Sequence, residues 1–550
     1  MKRLIYTLLP LLFLATGCLK ENFPTTTATE EMISQSPEAL AGMLNGIPAQ
    51  MVTPYFSYGS RSSNDYDFSY PSLMIILDTV AGELVLNGRD NYDWFLYWMR
   101  NVSDIGETSG PASVPWTDYY KYIRSCNNIV SILGYAPDRE SSQVILGQTL
   151  AYRAFFYLNL TRMYEFKAPT DPTVKDTYKP LNDITGLAVP IVKENMGNEQ
   201  TRSNPRATVE ACYALVFSDL DKAEEMLSGK TVAGKVHPDL AVVYGLKARA
   251  WLERGSAGVE GAFDKAADYA LKAITAFGGS PLTQQQWENP TTGFNNYLAN
   301  SNSWMWYVPV DTDHVHNLGS FVSNMAPEET WTSYGWSSAR GLNRAVYESI
   351  PDTDWRKNAW LHPRGESHYA YKTNRDVFGE QNSTEKGLPA YASLKFRPAG
   401  GNYSDYKSGG AIDIPLMRVE EMHLIRAEAL AMAGDLAGGK QVLTQFMTTR
   451  NPSYSCDAIG SAADFQQEVF FQTRVELWGE GLIYYDCKRL GTGIRLGYAG
   501  TNALARYRYN VEGVAPTWNF VIPRRELLGN PAIQGYNNPN PANTMTLWTE

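Results

Sequence analysis

The longest regular pattern of apolar and polar positions runs from Trp116 to Tyr164 and predicts two long helices packed against each other. In WTDYYKYIRSCNNIVSIL the large residues Trp116, Tyr119, Tyr120, Ile123, Val130 and Ile132 fall close to helical spacing. After the break GYAPDRESS, the stretch QVILGQTLAYRAFFYLNLTRMY keeps that period through Leu146, Leu150, Ala154, Tyr157 and Leu158. Gly147, Ala151 and Ala154 lie among these large residues, so the helix backbones can approach closely. Similar pieces recur: LKARAWLERG at 246–255, and LIRAEALAMAGD at 424–435 followed by LAGGKQVLTQF. Each carries an Arg-Ala step beside small residues, a tetratricopeptide-type helix–turn–helix signature. The separations are irregular, so insertions must split the repeats. The pattern predicts an all-α fold: a tetratricopeptide-like helix-pair scaffold with a large loop-rich insertion and a few short strands.

Taken in order, residues 1–17 read as a signal peptide, with Lys2 and Arg3 followed by the apolar run LIYTLLPLLFLA. That run is short for a membrane span. Cys18 directly after Gly17 fits a lipoprotein processing site, where the thiol is lipidated and becomes the mature N-terminus. A polar, Thr-rich tether follows at 18–35. Residues 36–276 then form an N-terminal helical-repeat part interrupted by an aromatic loop at 54–101. Within it RATVEACYALVFSDLDKAEEML is a helix with Thr208 as its cap. Between 277 and 410 the periodicity collapses into Trp-, Gly- and Asn-rich sequence, expected as a loop-rich insertion on the ligand face, with WMWYVPV (304–310) its best strand. Helical periodicity returns in 411–550, which completes the same body.

Composition narrows the function. The 550 residues carry a net charge of −10, so there is no broad basic field for phosphate backbones and nucleic acid is not an expected partner. Aromatic residues make up 12%, including 34 Tyr and 14 Trp, a supply that serves packing but also suits stacking on flat ligands. Cys126, Cys212, Cys456 and Cys487 show no CxxC or Cys/His metal spacing, so buried free thiols are the expectation, although export would permit a disulfide.

Catalytic chemistry finds little support. Glu476 and Glu480, four apart on one helix face, have β-carbons roughly 5–6 Å apart, and a retaining glycosidase needs carboxyl groups about 5–5.5 Å apart. Such pairs are also commonplace on repeat helices, with Arg474 and Lys488 near in sequence to neutralise them. In a strand, Asp311 and Asp313 would face away from His314 and His316, so the four could converge on a metal only in a loop. Neither G-x-S-x-G nor H-E-x-x-H occurs. No catalytic set, metal site or cofactor is expected.

The C-terminal motifs add a family resemblance. Glu476, Glu480, Gly481, Tyr485-Asp486, Lys488-Arg489 and Gly491 are followed by Ile522-Pro523, Glu526, Asn530-Pro531 and Ile533-Gln534. With Trp116, Tyr119-Tyr120, Ile123, Cys126-Asn127 and Ile129, these resemble the SusD/RagB family of Bacteroidetes outer-membrane lipoproteins; Gly535 stands where that family usually has Asn. The resemblance implies a lipid-anchored protein on the cell surface, attached to the membrane through its N-terminal lipid only. It further implies capture of oligosaccharides, or in some members peptides, and delivery to a TonB-dependent, SusC-like outer-membrane barrel. It also implies binding residues after a "D…E" segment, matched by Asp78 and Glu83, and in the central insertion.

Two loop regions therefore supply the expected ligand site. The first holds Trp94, Tyr97 and Trp98 with Asp67, Arg89, Asn91 and Asn101 as polar partners; the second holds Trp304, Trp306, Trp331, Tyr334 and Trp336. Sugar rings pack their C–H faces on aromatic rings, while their hydroxyls need planar donors and acceptors. A peptide-binding version, an exported all-α glycan-cleaving enzyme and a helical-repeat adaptor are the alternatives.

Overall fold

The computed structural model describes residues 30–58, 64–86, 93–99, 105–289, 291, 294–316, 319–329, 331–332, 334–363 and 388–549, with the side chains of Glu30, Glu31 and Trp336 outside that description. The expected signal peptide, Cys18 and the start of the tether lie outside the described residues. The tether's last residues form a short helix, Glu30–Gln35, rather than loose chain. Arg139 grips its end, donating to the Gln35 carbonyl at 3.0 Å and side chain at 2.6 Å.

The body is a stack of helices in which each touches the next. Gly110–Leu133 packs on Glu140–Tyr164, which packs on Val209–Leu227, then Leu240–Ser256, then Ala262–Phe277. Ala262–Phe277 packs in turn on Val419–Met432, which contacts Leu436–Met447 and Ala462–Glu476. The chain thus leaves the stack after Phe277 and re-enters it beside the helix it left. Local sequence starts these helices where expected: Thr208 accepts the Ala211 N–H, Asp239 the Val242 N–H and Asp435 the Gly438 N–H. Close approach is equally sequence-driven. A Cβ on Gly147 would lie 2.8 Å from Leu227, so the Glu140–Tyr164 and Val209–Leu227 helices meet only because that position is bare.

The 277–410 insertion differs from its expected surface placement. Strand Trp304–Pro309 pairs antiparallel with Asp413–Arg418, with Trp306 opposite Met417 and Val308 opposite Ile414. This strand is buried on both faces, and its indoles belong to the same core as the helices. The insertion is therefore sewn into the body by its own strand. Cys126, Cys212, Cys456 and Cys487 are buried free thiols. Among the described residues, no helix is long and apolar enough to cross a membrane.

Candidate functional site

The two expected loop regions meet along one seam. Val85–Leu86 forms a two-residue antiparallel pairing with Arg340–Gly341. Beside it the buried Arg340 guanidinium reaches Asp93 at 2.7 Å and donates to the Asn324 carbonyl at 2.6 Å. Asp93 also accepts the Phe95 N–H at 2.8 Å, so the salt bridge fixes the start of the short helix Leu96–Met99. Asp93 and Arg340 were not among the expected site residues. Arg340 carries no local motif, and only its pairing across the seam gives it this role.

A hydrogen-bonded chain runs over the seam. The Trp94 indole N–H donates to the Tyr334 hydroxyl at 2.7 Å, and Tyr334 donates to Asp65 at 3.2 Å. Tyr55 donates to the other Asp65 oxygen at 2.8 Å and meets His316 Nδ1 at 3.2 Å. Tyr55 sits at φ 58°, a left-handed conformation costly for a bulky side chain, which concentrates strain at this loop. Burial pushes the Tyr334 phenol up to about 12, so it stays protonated and able to donate.

Around this chain the expected rings divide. Trp94 and Trp331 are half-buried and Tyr97 is 41% exposed, so these three can present ring surface to solvent. Trp331 is held by its N–H to Ser323 at 3.0 Å, and its ring lies close over Gly409. Tyr334 is buried at 6% and acts as the bracket for Trp94. Trp98, at 2%, packs edge-on to Tyr66 and serves the core. Trp304 and Trp306, both at 0%, are core as well, a correction to the expectation that they face ligand. The expectation fails because Phe294 covers Trp304 and helix Glu140–Tyr164 covers Trp306. Trp306 packs on its Tyr152 and Phe155 and donates to the Val236 carbonyl at 3.0 Å.

Asp67 is likewise structural rather than ligand-facing. Fully buried, it accepts the N–H groups of Ser57 at 3.1 Å and Tyr58 at 3.2 Å. Burial nevertheless pushes its carboxyl up to about 6. Arg89, Asn91 and Asn101 lie outside the described residues, as does the Trp336 side chain on the short helix Tyr334–Ser337.

The carboxylate pair considered for catalysis has a different setting. Glu476 and Glu480 sit in a buried knot where Arg356, Lys395, Arg418 and Arg450 face Asp354, Glu420, Glu476 and Glu480. Arg418 holds Glu480 through both oxygens at 2.8 and 2.9 Å, and Arg450 reaches Glu476 at 3.0 Å. Burial alone would raise the Glu476 carboxyl, yet Arg450, Arg418 and Arg356 hold it well below the usual carboxylate range. Such a group keeps no proton to give to a leaving group, and no substrate reaches it. The expected neutralising cations act elsewhere. Arg474 pairs with Glu83 at 2.9 Å, and Lys488 donates to the Met163 and Glu165 carbonyls. Asp78 accepts the Gly481 N–H at 3.0 Å, and Gly481 is at φ 71° where a Cβ would strike Met74. The Asp78 and Glu83 segment is therefore a clasp onto the C-terminal repeat. Of the acidic-histidine cluster, Asp311 pairs with His314 at 2.7 Å while His316 turns to Tyr55.

Comparison with known proteins agrees with this architecture. A family model described as "Starch-binding associating with outer membrane" matches residues 84–252, and the SusD family model matches residues 343–525. A solved SusD-like carbohydrate binding protein from Bacteroides vulgatus is 21% identical, covering 90% of this chain and 97% of its own, with a TM-score of 0.68. SusD superfamily structures from Bacteroides thetaiotaomicron and Bacteroides fragilis, each 20% identical, cover 92% and 91% of this chain and 100% and 99% of their own, both with TM-scores of 0.63. No curated protein matches the sequence. The first family match ends before the insertion, the second begins within it at residue 343, and the solved folds cover nine-tenths of the chain: the chain belongs to the SusD/RagB family.

Proposed function

We propose that this protein is a cell-surface lipoprotein that captures oligosaccharides on its aromatic seam and hands them to a TonB-dependent outer-membrane barrel, without cleaving them. The observation that carries the binding reading is the bracketing of Trp94. Its N–H is fixed by Tyr334, which is fixed by Asp65, while the ring stays half-exposed beside the exposed Tyr97. A preset ring loses little freedom when a sugar face packs on it. Family membership supports the same reading, since one matching model is described as starch-binding and outer-membrane-associated and a structural relative is titled a carbohydrate binding protein. Lipid anchoring rests on Cys18 after an apolar leader, and delivery to a SusC-like barrel rests on the family alone.

The binding reading is tested by calorimetry against an oligosaccharide panel and a peptide panel, with product analysis of every mixture. Binding of at least one oligosaccharide, weakened in Trp94→Ala and with no product released, is expected. Peptide binding alone would shift the ligand class, and released products would overturn the non-enzymatic reading. Cys18→Ala protein that still fractionates with membranes when no barrel is expressed would refute lipid anchoring, and failure to co-purify with any co-expressed barrel would refute delivery.

A further inference from the structure

A second cleft lies where helix Gly110–Leu133, the 190–204 loop and the C-terminal turn at 525–530 come together, and it shares no lining residue with the aromatic seam. Its volume is about 290 Å³, near the lower end of the roughly 300–1,000 Å³ typical of small-ligand sites. That is room for one ring-sized molecule. The walls are preset. Asn204 and Asn530 exchange hydrogen bonds at 3.0 and 2.6 Å, and the Tyr120 hydroxyl is anchored to the Pro190 carbonyl at 2.7 Å. The half-buried Tyr120 ring, backed by the buried Trp116 with ring centroids 4.7 Å apart, supplies an aromatic floor.

The rim is cationic. Lys121, Arg124 and Arg525 line the cleft against a single carboxylate, Glu526, and burial pushes the Glu526 carboxyl up so that it yields its charge more readily than a surface glutamate. Lys121 is already committed to the Phe56 carbonyl. Arg525 spends one donor on Thr117 at 2.9 Å and keeps the rest of its fork, while Arg124 is exposed and neither guanidinium is in a salt bridge among the described residues. Two free guanidinium forks above an aromatic floor match a planar carboxylate attached to a ring, because the fork pairs both carboxylate oxygens at once.

We propose that this cleft is a second binding site, for a small ring-bearing carboxylate such as a hexuronic acid. It does not depend on the aromatic seam being a glycan site. The test is calorimetry of the full chain with galacturonate, galactose and inorganic phosphate. Galacturonate is expected to bind while galactose and phosphate do not, and an Arg124→Gln/Arg525→Gln protein with an unchanged melting temperature should bind it about 100-fold more weakly, about tenfold for each fork lost. Trp94→Ala should leave galacturonate binding unchanged, which separates this site from the seam. Galactose binding as well as galacturonate, phosphate competing equally, undiminished binding in the double variant, or no galacturonate binding at millimolar concentration would each overturn the proposal.

Discussion

The charge knot and the aromatic seam both gather polar atoms from distant parts of the chain, and they use them in opposite ways. In the knot, four cations and four carboxylates consume one another with almost no exposed surface. In the seam, Tyr334 and Tyr55 both donate to Asp65, and this chain holds rings whose surfaces are left open. The first arrangement locks the returning insertion to the helical stack, since Arg356 and Lys395 come from the insertion while Arg450 and Glu476 come from the repeats. The second holds a surface ready. Depth, rather than residue type, separates fastening from holding a surface open: Trp98 is buried in the core while Trp94, four residues earlier, is only half-buried.

The hardest way to break that contrast is to open the knot. Arg418 touches Glu420, Glu476 and Glu480 at 3.0, 3.2 and 2.8 Å. Arg418→Met leaves three buried carboxylates short of a partner and should cost about 3–5 kcal/mol of stability, read by urea unfolding. A variant as stable as the parent would mean the knot is ornamental. Nearly as large an effect should separate two tryptophans four residues apart. Trp98→Ala should cost about 3–5 kcal/mol of stability as a core truncation. Trp94→Ala should leave melting within about a degree while weakening oligosaccharide binding by about 1–3 kcal/mol, by analogy with bases stacked on aromatic rings. Reversal of the two outcomes would show that the seam's inner and outer rings have been interchanged.

That pair also shows what was legible in the sequence. Helical periodicity located the stack because a 3.6-residue period is a property of one segment, and the caps at Thr208 and Asp435 are equally local. It could not separate Trp94 from Trp98, or Trp331 from Trp306, because burial of a loop aromatic is decided by what another part of the chain lays over it. Trp306 is covered by Phe155, some 150 residues earlier, and Trp94 is bracketed by Tyr334, 240 residues later. Asp93 and Arg340 stayed invisible for the same reason. The family motifs did mark real positions, but Asp78, Glu83, Glu476 and Gly481 turn out to fasten segments together rather than touch a ligand.

A smaller test uses pH to probe a single clasp. Burial pushes the Asp78 carboxyl up to about 8, with Glu83 and Glu480 adding to the rise. A raised carboxyl binds its proton more tightly folded than unfolded, so its contribution to stability is fully present below about pH 4. That contribution is lost as pH climbs through about 8. Asp78→Asn can still accept the Gly481 N–H but does not ionise. Its stability relative to the parent should therefore rise between pH 5 and 8, by about 1.4 kcal/mol per pH unit, and level off above. A difference that stays flat across that range would mean Asp78 is ionised in the fold and already compensated.

The smallest effect sharpens the seam itself. Tyr334→Phe keeps the ring and removes the hydroxyl that accepts from Trp94 and donates to Asp65. Asp65 keeps Tyr55 as a partner, and half-buried Trp94 can turn its N–H to water, so the fold loses little. What is lost is the fixed orientation of the indole, and a ligand must then order the ring that the protein no longer holds. A single neutral hydrogen bond is worth about 1 kcal/mol, so oligosaccharide affinity should fall about fivefold while melting moves by a degree or less. A melting loss close to that of Trp98→Ala would make Tyr334 a core residue first. Unchanged affinity would mean that Trp94 needs no bracket, and the ring surface that matters would then be Tyr97 or Trp331.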